Sequence, residues 1–271
     1  PYQSFGFQSA YSNHDQESYF GLRAYDIEHK SFFTNLLFNS IISNTKNKFK
    51  TGINFSYDSY NEQVDLVNYE RRDEVIGAFF EYSYDSLDKL NLTAGIRVDS
   101  HNRLGFFVTP RIHVRYNPWE RSVLRASVGS GRKVANIFAE NQKLFGTNRL
   151  IQVSDNGGSV YGLRSERAWN YGVSFRQGFT LFENQGDVTV DFYRTQFEDQ
   201  VVVDWEQASH IRFYNLEGSS YANSFQLEVD YVPFKNTSLR LAYKNYEVKT
   251  TYGTQTLQKP LQPKERFFAN N

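Results

Sequence analysis

The residues best suited to hold a small solute lie in two polar, aromatic stretches. Arg132 to Glu166 contains Asn136, Glu140, Asn141 and Tyr161, and a second stretch carries Trp205, His210, Phe213 and Tyr214. Rings beside amides supply what a sugar or an aromatic chelate needs, a flat face to stack on and hydrogen bonds around the edge. Asn136, Glu140, Asn141, Tyr161, Trp205 and Tyr214 are therefore the candidate ligand-binding residues. The competing role for each is to shape its loop, since most loop residues frame a site without touching its ligand. Between them, Asp155-Asn156-Gly157-Gly158 reads as a turn. It lacks the acidic series and closing Glu of a calcium loop.

Covalent chemistry finds no support in the residue pattern. The sequence holds no His-Glu-x-x-His, no Gly-x-Ser-x-Gly and no Gly-x-x-x-x-Gly-Lys. Gly129-Ser130-Gly131 is a lone glycine pair, explained more simply by a bend or a close backbone approach. The 5 histidines, His14, His29, His101, His113 and His210, fall in different hairpins without metal-ligand spacing, and Cys is absent. No catalytic residue, metal site or cofactor is expected. With 30 basic and 30 acidic residues the formal charge is zero, which leaves no basic face for nucleic acid.

Loops of this kind need a rigid frame, and the rest of the chain is patterned to supply one. Ser224 to Tyr231 alternates strictly, with Phe225, Leu227, Val229 and Tyr231 on one face of a strand and Ser224, Gln226, Glu228 and Asp230 on the other. The same alternation recurs around Phe49–Asp58, Leu90–Asp99, Arg111–Tyr116, Asn170–Thr180, Asp187–Phe192 and Ser238–Lys244. One such strand also suits a half-exposed soluble sheet, whereas repetition along the chain points to a wall with one lipid face and one wet face.

Connection lengths add an independent signal. Tight polar turns at Asn44–Lys46, Ser86–Asp88, Asn117–Glu120, Glu183–Gly186 and Pro233–Asn236 alternate with connections of unequal size. These are a tiny one at His29–Lys30, a moderate one at Ser59–Arg72, and long ones at Arg132–Glu166 and Gln200–Ser219. Short turns on one rim and long loops on the other mark transmembrane barrels. A mean hydropathy of −0.61 excludes a bundle of spanning helices but not barrel strands, which show lipid only alternate residues. Aromatic residues, 17% of the chain, suit the lipid face and its borders.

The runs give about 12–13 strands, near 3–12, 18–28, 31–43, 47–58, 73–85, 89–100, 107–117, 121–131, 167–182, 187–198, 220–233, 237–249 and a start at 264. The expected fold is all-β, an antiparallel up-and-down transmembrane β-barrel present in part, with residues 1–271 as a single partial domain. Arg97, Asp99, Arg111, His113, Arg115, Arg125, Arg176, Asp187, Asp191, Glu228, Asp230, Arg240 and Lys244 should point inward, most of them as wall-bracing ion pairs.

Gly95-Ile96-Arg97-Val98-Asp99, Phe107-Val108-Thr109-Pro110-Arg111 leading to Tyr116-Asn117-Pro118, Leu124-Arg125-Ala126-Ser127 and Ala135-Asn136-Ile137-Phe138-Ala139-Glu140-Asn141 follow one another in order. Glu166–Tyr171, Asp191-Phe192-Tyr193-Arg194-Thr195 and Lys259-Pro260-Leu261-Gln262-Pro263-Lys264 continue the series. Across most of residues 73–271 this order resembles the TonB-dependent outer-membrane receptors, whose barrels close about 22 strands around a plug. The resemblance implies a fragment of a bacterial outer-membrane importer for a scarce solute of the siderophore, cobalamin or oligosaccharide class. It also implies membrane lipid, the receptor's own plug domain, TonB and a small solute or metal chelate as partners. Plug, TonB-contact segment and barrel ends would lie outside this stretch. A passive outer-membrane pore or adhesin and a soluble β-sandwich binding module are the alternatives, and an outer-membrane protease or lipase is a weaker one.

Overall fold

The computed structural model describes residues 2–86 and 89–270. Sixteen strands run in chain order as β1 (Ser4–Phe20), β2 (Arg23–Ile42), β3 (Asn44–Val64), β4 (Val67–Asp85), β5 (Leu90–His101), β6 (Gly105–Tyr116), β7 (Ser122–Lys133), β8 (Leu150–Val153), β9 (Glu166–Leu181), β10 (Asn184–Asp199), β11 (Val201–Asp204), β12 (His210–Asn215), β13 (Ser220–Phe234), β14 (Thr237–Tyr252), β15 (Gln255–Gln258) and β16 (Glu265–Asn270). Thirteen form one sheet in the order β1-β2-β3-β4-β5-β6-β7-β9-β10-β13-β14-β15, with β16 also on β14. All its neighbours are antiparallel, so it is an up-and-down meander. A second sheet of three short strands, β11-β12-β8, includes one parallel pair.

The register settles which residues share a face. Ile96 pairs with Phe80 and Pro110, Leu124 with Phe175, Phe175 with Val190, and Val190 with Leu227. Paired residues point the same way, so Leu92, Ile96, Val114, Leu124, Val173, Phe175, Val190, Leu227, Val229 and Leu241 form one surface. None of them is buried. By the same register every inward residue expected from sequence lies on the opposite face. That face carries cross-strand ion pairs, Arg111 to Glu81, Arg176 to Asp187 at 2.8 Å and Arg240 to Asp230 at 2.6 Å. Among the described residues no second sheet covers the apolar surface, which stays exposed where a sandwich would bury it.

Outward residues change character part-way along the long strands β2 and β4. On β2, Phe38, Leu36, Thr34 and Phe32 give way to Lys30, Glu28 and Asp26, and on β4, Phe80, Ala78 and Ile76 give way to Glu74, Arg72 and Glu70. Charges are costly against lipid, so this switch marks the border of the hydrocarbon layer. A tilted spanning strand needs only about 10 residues, and β2, with 20 residues, and β3, with 21, extend well beyond that border.

The extension corrects two sequence expectations. His29–Lys30 is not a connection but lies inside β2, so the runs at 18–28 and 31–43 do not form two strands. Its charges imitate a turn because they stand above lipid and pair with neighbours on β2 and β3. His29 stacks on Tyr60 at 4.2 Å, its Nε2 is 2.9 Å from Asp58, and Lys30 is 2.5 Å from Glu28. Ser59–Arg72 is likewise strand, turning only at Asp65 and Leu66. Val201–Val203 and Ile211–Tyr214 are strands, but they belong to the small sheet and do not continue β10 and β13.

The rim division follows the expectation. Connections at 43, 86–89, 117–121, 182–183 and 235–236 lie at one end, and those at 65–66, 134–165 and 200–219 at the other. Of the turn expected at Ser86–Asp88, residues 87 and 88 lie outside the described residues.

Candidate functional site

The hydrophobic core sits at the long-loop rim and not between sheets. Ile137, Phe138, Leu144 and Phe145 from the β7–β9 connection are buried against Tyr25, Ile27 and Val64 of β2 and β3, together with Val201, Ile211 and Phe213 of the small sheet. Rings interlock there, Phe138 with Tyr69 at 5.1 Å, with Tyr161 at 5.3 Å, and Phe145 with Tyr25 at 5.2 Å. Burying these apolar groups draws the loop across the inner face of the strand extensions, with Leu144 and Phe145 delivered by a 3-10 helix at Ala139–Phe145.

Tyr161 is placed by a tight local turn. Val160 and Leu163 bridge, and Leu163 N donates to Val160 O at 2.8 Å. Tyr161 and Gly162 between them have φ of 54° and 77°, the paired left-handed conformation of a type I′ turn. A side chain at Gly158 would collide with the Leu163 carbonyl, so glycine lets the two backbones meet. The turn aims the phenol into a polar network that hydropathy patterning alone does not reveal.

Glu62 is the centre of that network and only 2% exposed. Tyr25 OH donates to Glu62 Oε1 at 2.7 Å and Tyr161 OH donates to Oε2. Arg71, also buried, donates from Nη1 to Tyr161 OH at 3.0 Å and from Nη2 to Asn136 Oδ1, and its Nε lies 3.2 Å from Asp73. Its guanidinium covers the Tyr60 ring at 3.8 Å, and Arg103 reaches Asp73 at 3.1 Å. Burial, then the Glu62 carboxylate, pushes both Tyr25 and Tyr161 far above the usual phenol range. Burial works against the charge on Arg71, but Tyr161 and Asp73 beside it outweigh that and hold it more firmly protonated. The network is thus two neutral phenols on the Glu62 carboxylate, with the Arg71 guanidinium held between Tyr161 and the Asp73 carboxylate.

A hollow of about 400 Å³ opens beside it, lined by Asp58, Tyr60, Asp73, Asp99, His101, Arg132, Lys133 and Asn136 among others. His101 accepts at Nδ1 from the Arg103 backbone N–H at 3.1 Å. Burial lowers its pKa below the ordinary histidine value, Arg103 and Arg132 add to this, and Asp73 opposes it.

The structure divides the predicted residues into two groups. Asn136 and Tyr161 meet at Arg71, and of the two Asn136 lines the hollow. Glu140 sits at its edge, bound to Lys133 at 3.0 Å. Asn141 turns inward to its own loop, donating to Ile137 O at 2.8 Å. Trp205 packs on the loop core, with Lys143 5.5 Å from its ring. Tyr214 accepts from Gly253 N at 3.3 Å, on the far side of the small sheet. Asp155–Gly158 is a turn, with Gly157 N donating to Asp155 Oδ1 at 2.9 Å. Sequence reading missed Tyr25, Tyr60, Glu62, Arg71 and Asp73, whose inward alternation on β2, β3 and β4 was the available signal. The assembled groups donate and accept hydrogen bonds and stack. Among the described residues no group of three or more His, Asp or Glu is placed to hold a metal ion.

A family model described as TonB dependent receptor-like, beta-barrel matches residues 1–268. No curated protein matches the chain in sequence. Among solved structures, the copper transporter OprC superposes with a TM-score of 0.66 at 11% identity, over 92% of this chain and 43% of its own. The ferripyoverdine receptor of the Pseudomonas aeruginosa outer membrane, solved bound to ferripyoverdine, gives 0.61 at 10% identity, over 98% and 40%. The siderophore receptor PirA from Pseudomonas aeruginosa gives 0.57 at 14% identity, over 92% and 53%. At such identities the likeness is one of fold, and the chain spans about 40% to half of these relatives' length.

Proposed function

This chain belongs to the TonB dependent receptor-like β-barrel family, and from that premise we propose that it forms part of the wall and mouth of an outer-membrane transporter importing a scarce solute with work supplied through TonB. The observation that carries the reading is the long connection folded across the concave inner face, which leaves a polar, ring-edged hollow of about 400 Å³ at the outer rim. Pockets of about 300–1,000 Å³ hold small molecules. Donors at Arg132, Lys133 and Asn136, acceptors at Asp58, Asp73 and Asp99 and the Phe107 ring in the same wall suit a compact polar solute, in the siderophore, cobalamin or oligosaccharide class. The siderophore receptor and the ferripyoverdine receptor among the structural neighbours agree with that class.

In this reading solute binds at the rim, a plug within the lumen moves, and the inner-membrane motor drives the movement through TonB. This chain's own residues bind, exclude water and brace the wall, and none is assigned a covalent step. Uptake measured in cells with and without functional TonB tests the proposal. Loss of uptake without TonB is the expected result. Equal uptake in both strains would replace the transporter with a passive pore.

A further inference from the structure

One rung of the inner wall sets two like charges side by side. Several inward cations there have an acid at hand. Arg97 bonds Asp99 at 2.6 Å, Arg111 bonds Glu81, Arg176 bonds Asp187 at 2.8 Å, and Lys133 lies 3.2 Å from Glu166. Arg115 and Arg125 differ, being directly opposed in register on β6 and β7. Both are exposed on the inner face, and no ion pair joins either to an acid among the described residues. Directly opposed side chains sit about 4.5–5.5 Å apart at Cβ, and like charges in that position destabilise a sheet.

The rung continues Asp85, Asn91, Arg115, Arg125, Ser174, Asp191 across β4 to β10. The acids are each held off by one neutral residue, and Asp85 accepts from Asn91 Nδ2 at 3.3 Å. The centre of the rung is positive by construction. The two arginines border a hollow of about 250 Å³ whose other polar walls include Asn91, Thr93, His113, Ser127 and Tyr193, and whose lining contains no carboxylate. Gly172 lets two of these walls close over the backbone, because a Cβ there would stand 2.6 Å from the Tyr193 ring and 2.7 Å from Ser127 Oγ. A donor-rich hollow smaller than the usual small-molecule pocket of about 300–1,000 Å³ fits one charged group of a solute. Two planar guanidinium forks match the oxygens of a carboxylate or phosphate.

We propose that Arg115 and Arg125 form an oxyanion site on the inner wall, near the short-turn rim, that takes a carboxylate or phosphate group of the solute on its way inward. The proposal rests on the transporter reading and narrows its substrates to anionic ones. The site lies well below the outer hollow, since Arg115 is one residue from the end of β6 and Arg125 three from the start of β7. It is therefore a second station along the lumen.

The test is titration calorimetry of inorganic pyrophosphate into the purified receptor in detergent at low salt, with wild type, Arg115→Gln/Arg125→Gln and Arg240→Gln compared. Wild type and Arg240→Gln, whose cation already has Asp230 and Glu228 as partners, should bind saturably and alike. The double variant should bind at least about tenfold more weakly, as expected on losing charged hydrogen bonds. No saturable binding by wild type, or undiminished binding by the double variant, overturns the site. If instead a carboxylate of the receptor's own plug fills it, wild type binds no pyrophosphate while the double variant melts at lower temperature, and that outcome also overturns it. The measurement involves no TonB, so it fails or succeeds independently of the uptake experiment.

Discussion

Tyr161 holds Glu62 and Arg71 together from a left-handed backbone position that costs the turn energy. Tyr161→Phe leaves a buried carboxylate oxygen and a guanidinium N–H short of that partner, and should destabilise the rim by about 1–3 kcal/mol. Limited proteolysis should then cut the segment 134–165 faster than in wild type, with the strands untouched. His101 gives a pH signature. Its folded pKa lies below the ordinary 6.5, so as pH falls through that value the unfolded chain takes up the proton first. Stability is fully present above about pH 6.5 and declines as pH falls toward the folded pKa. Melting curves between about pH 7.5 and 5 should therefore slope less for His101→Asn than for wild type. At this scale the sequence exposed Asn136 and Tyr161 through residue type. It did not expose Glu62 or Arg71, because a charged residue in an apparent loop looks solvated until the loop proves to be strand.

Among elements, the strands separate into a lipid-crossing part and an outer extension, and the two tolerate different changes. Ile96 is 48% exposed on the outward face between Phe80 and Pro110. Ile96→Arg should cost about 2–4 kcal/mol, the penalty of a cation in the middle of the hydrocarbon layer, whereas Glu74→Arg above the border should cost little. Folding into lipid vesicles under urea titration distinguishes them. Deleting most of the segment 134–165 should weaken solute binding yet leave the barrel assembling in the membrane, because the antiparallel ladder from β7 to β9 does not depend on it. Detection of the deleted protein in outer-membrane fractions together with wild-type solute affinity would contradict the placement of the site at the rim. Alternation made the strands legible, and it also misled at His29–Lys30, where hydrophilicity above the lipid border has the composition of a turn.

For the whole molecule, the sheet runs as an open path whose end strands, β1 at one side and β15 with β16 at the other, are not paired with each other among the described residues. An unpaired edge is costly in lipid. The chain expressed alone should accordingly aggregate or stay unfolded in detergent, while the same residues within a closed barrel should resist heat, a contrast read by gel mobility before and after boiling. By itself the sequence determined the all-β meander, the apolar outward and polar inward faces and the short and long rims. These follow from a side-chain period of two and from connection lengths, which are local properties of the chain. Only the tertiary structure decided that the β7–β9 connection folds inward onto β2, β3 and β4, that Glu62, Arg71 and Tyr161 meet, and that Arg115 and Arg125 stand opposed. Those contacts join residues at least 10 positions apart, 99 for Glu62 and Tyr161, and they depend on strand register and on where buried rings can pack, which no local pattern encodes.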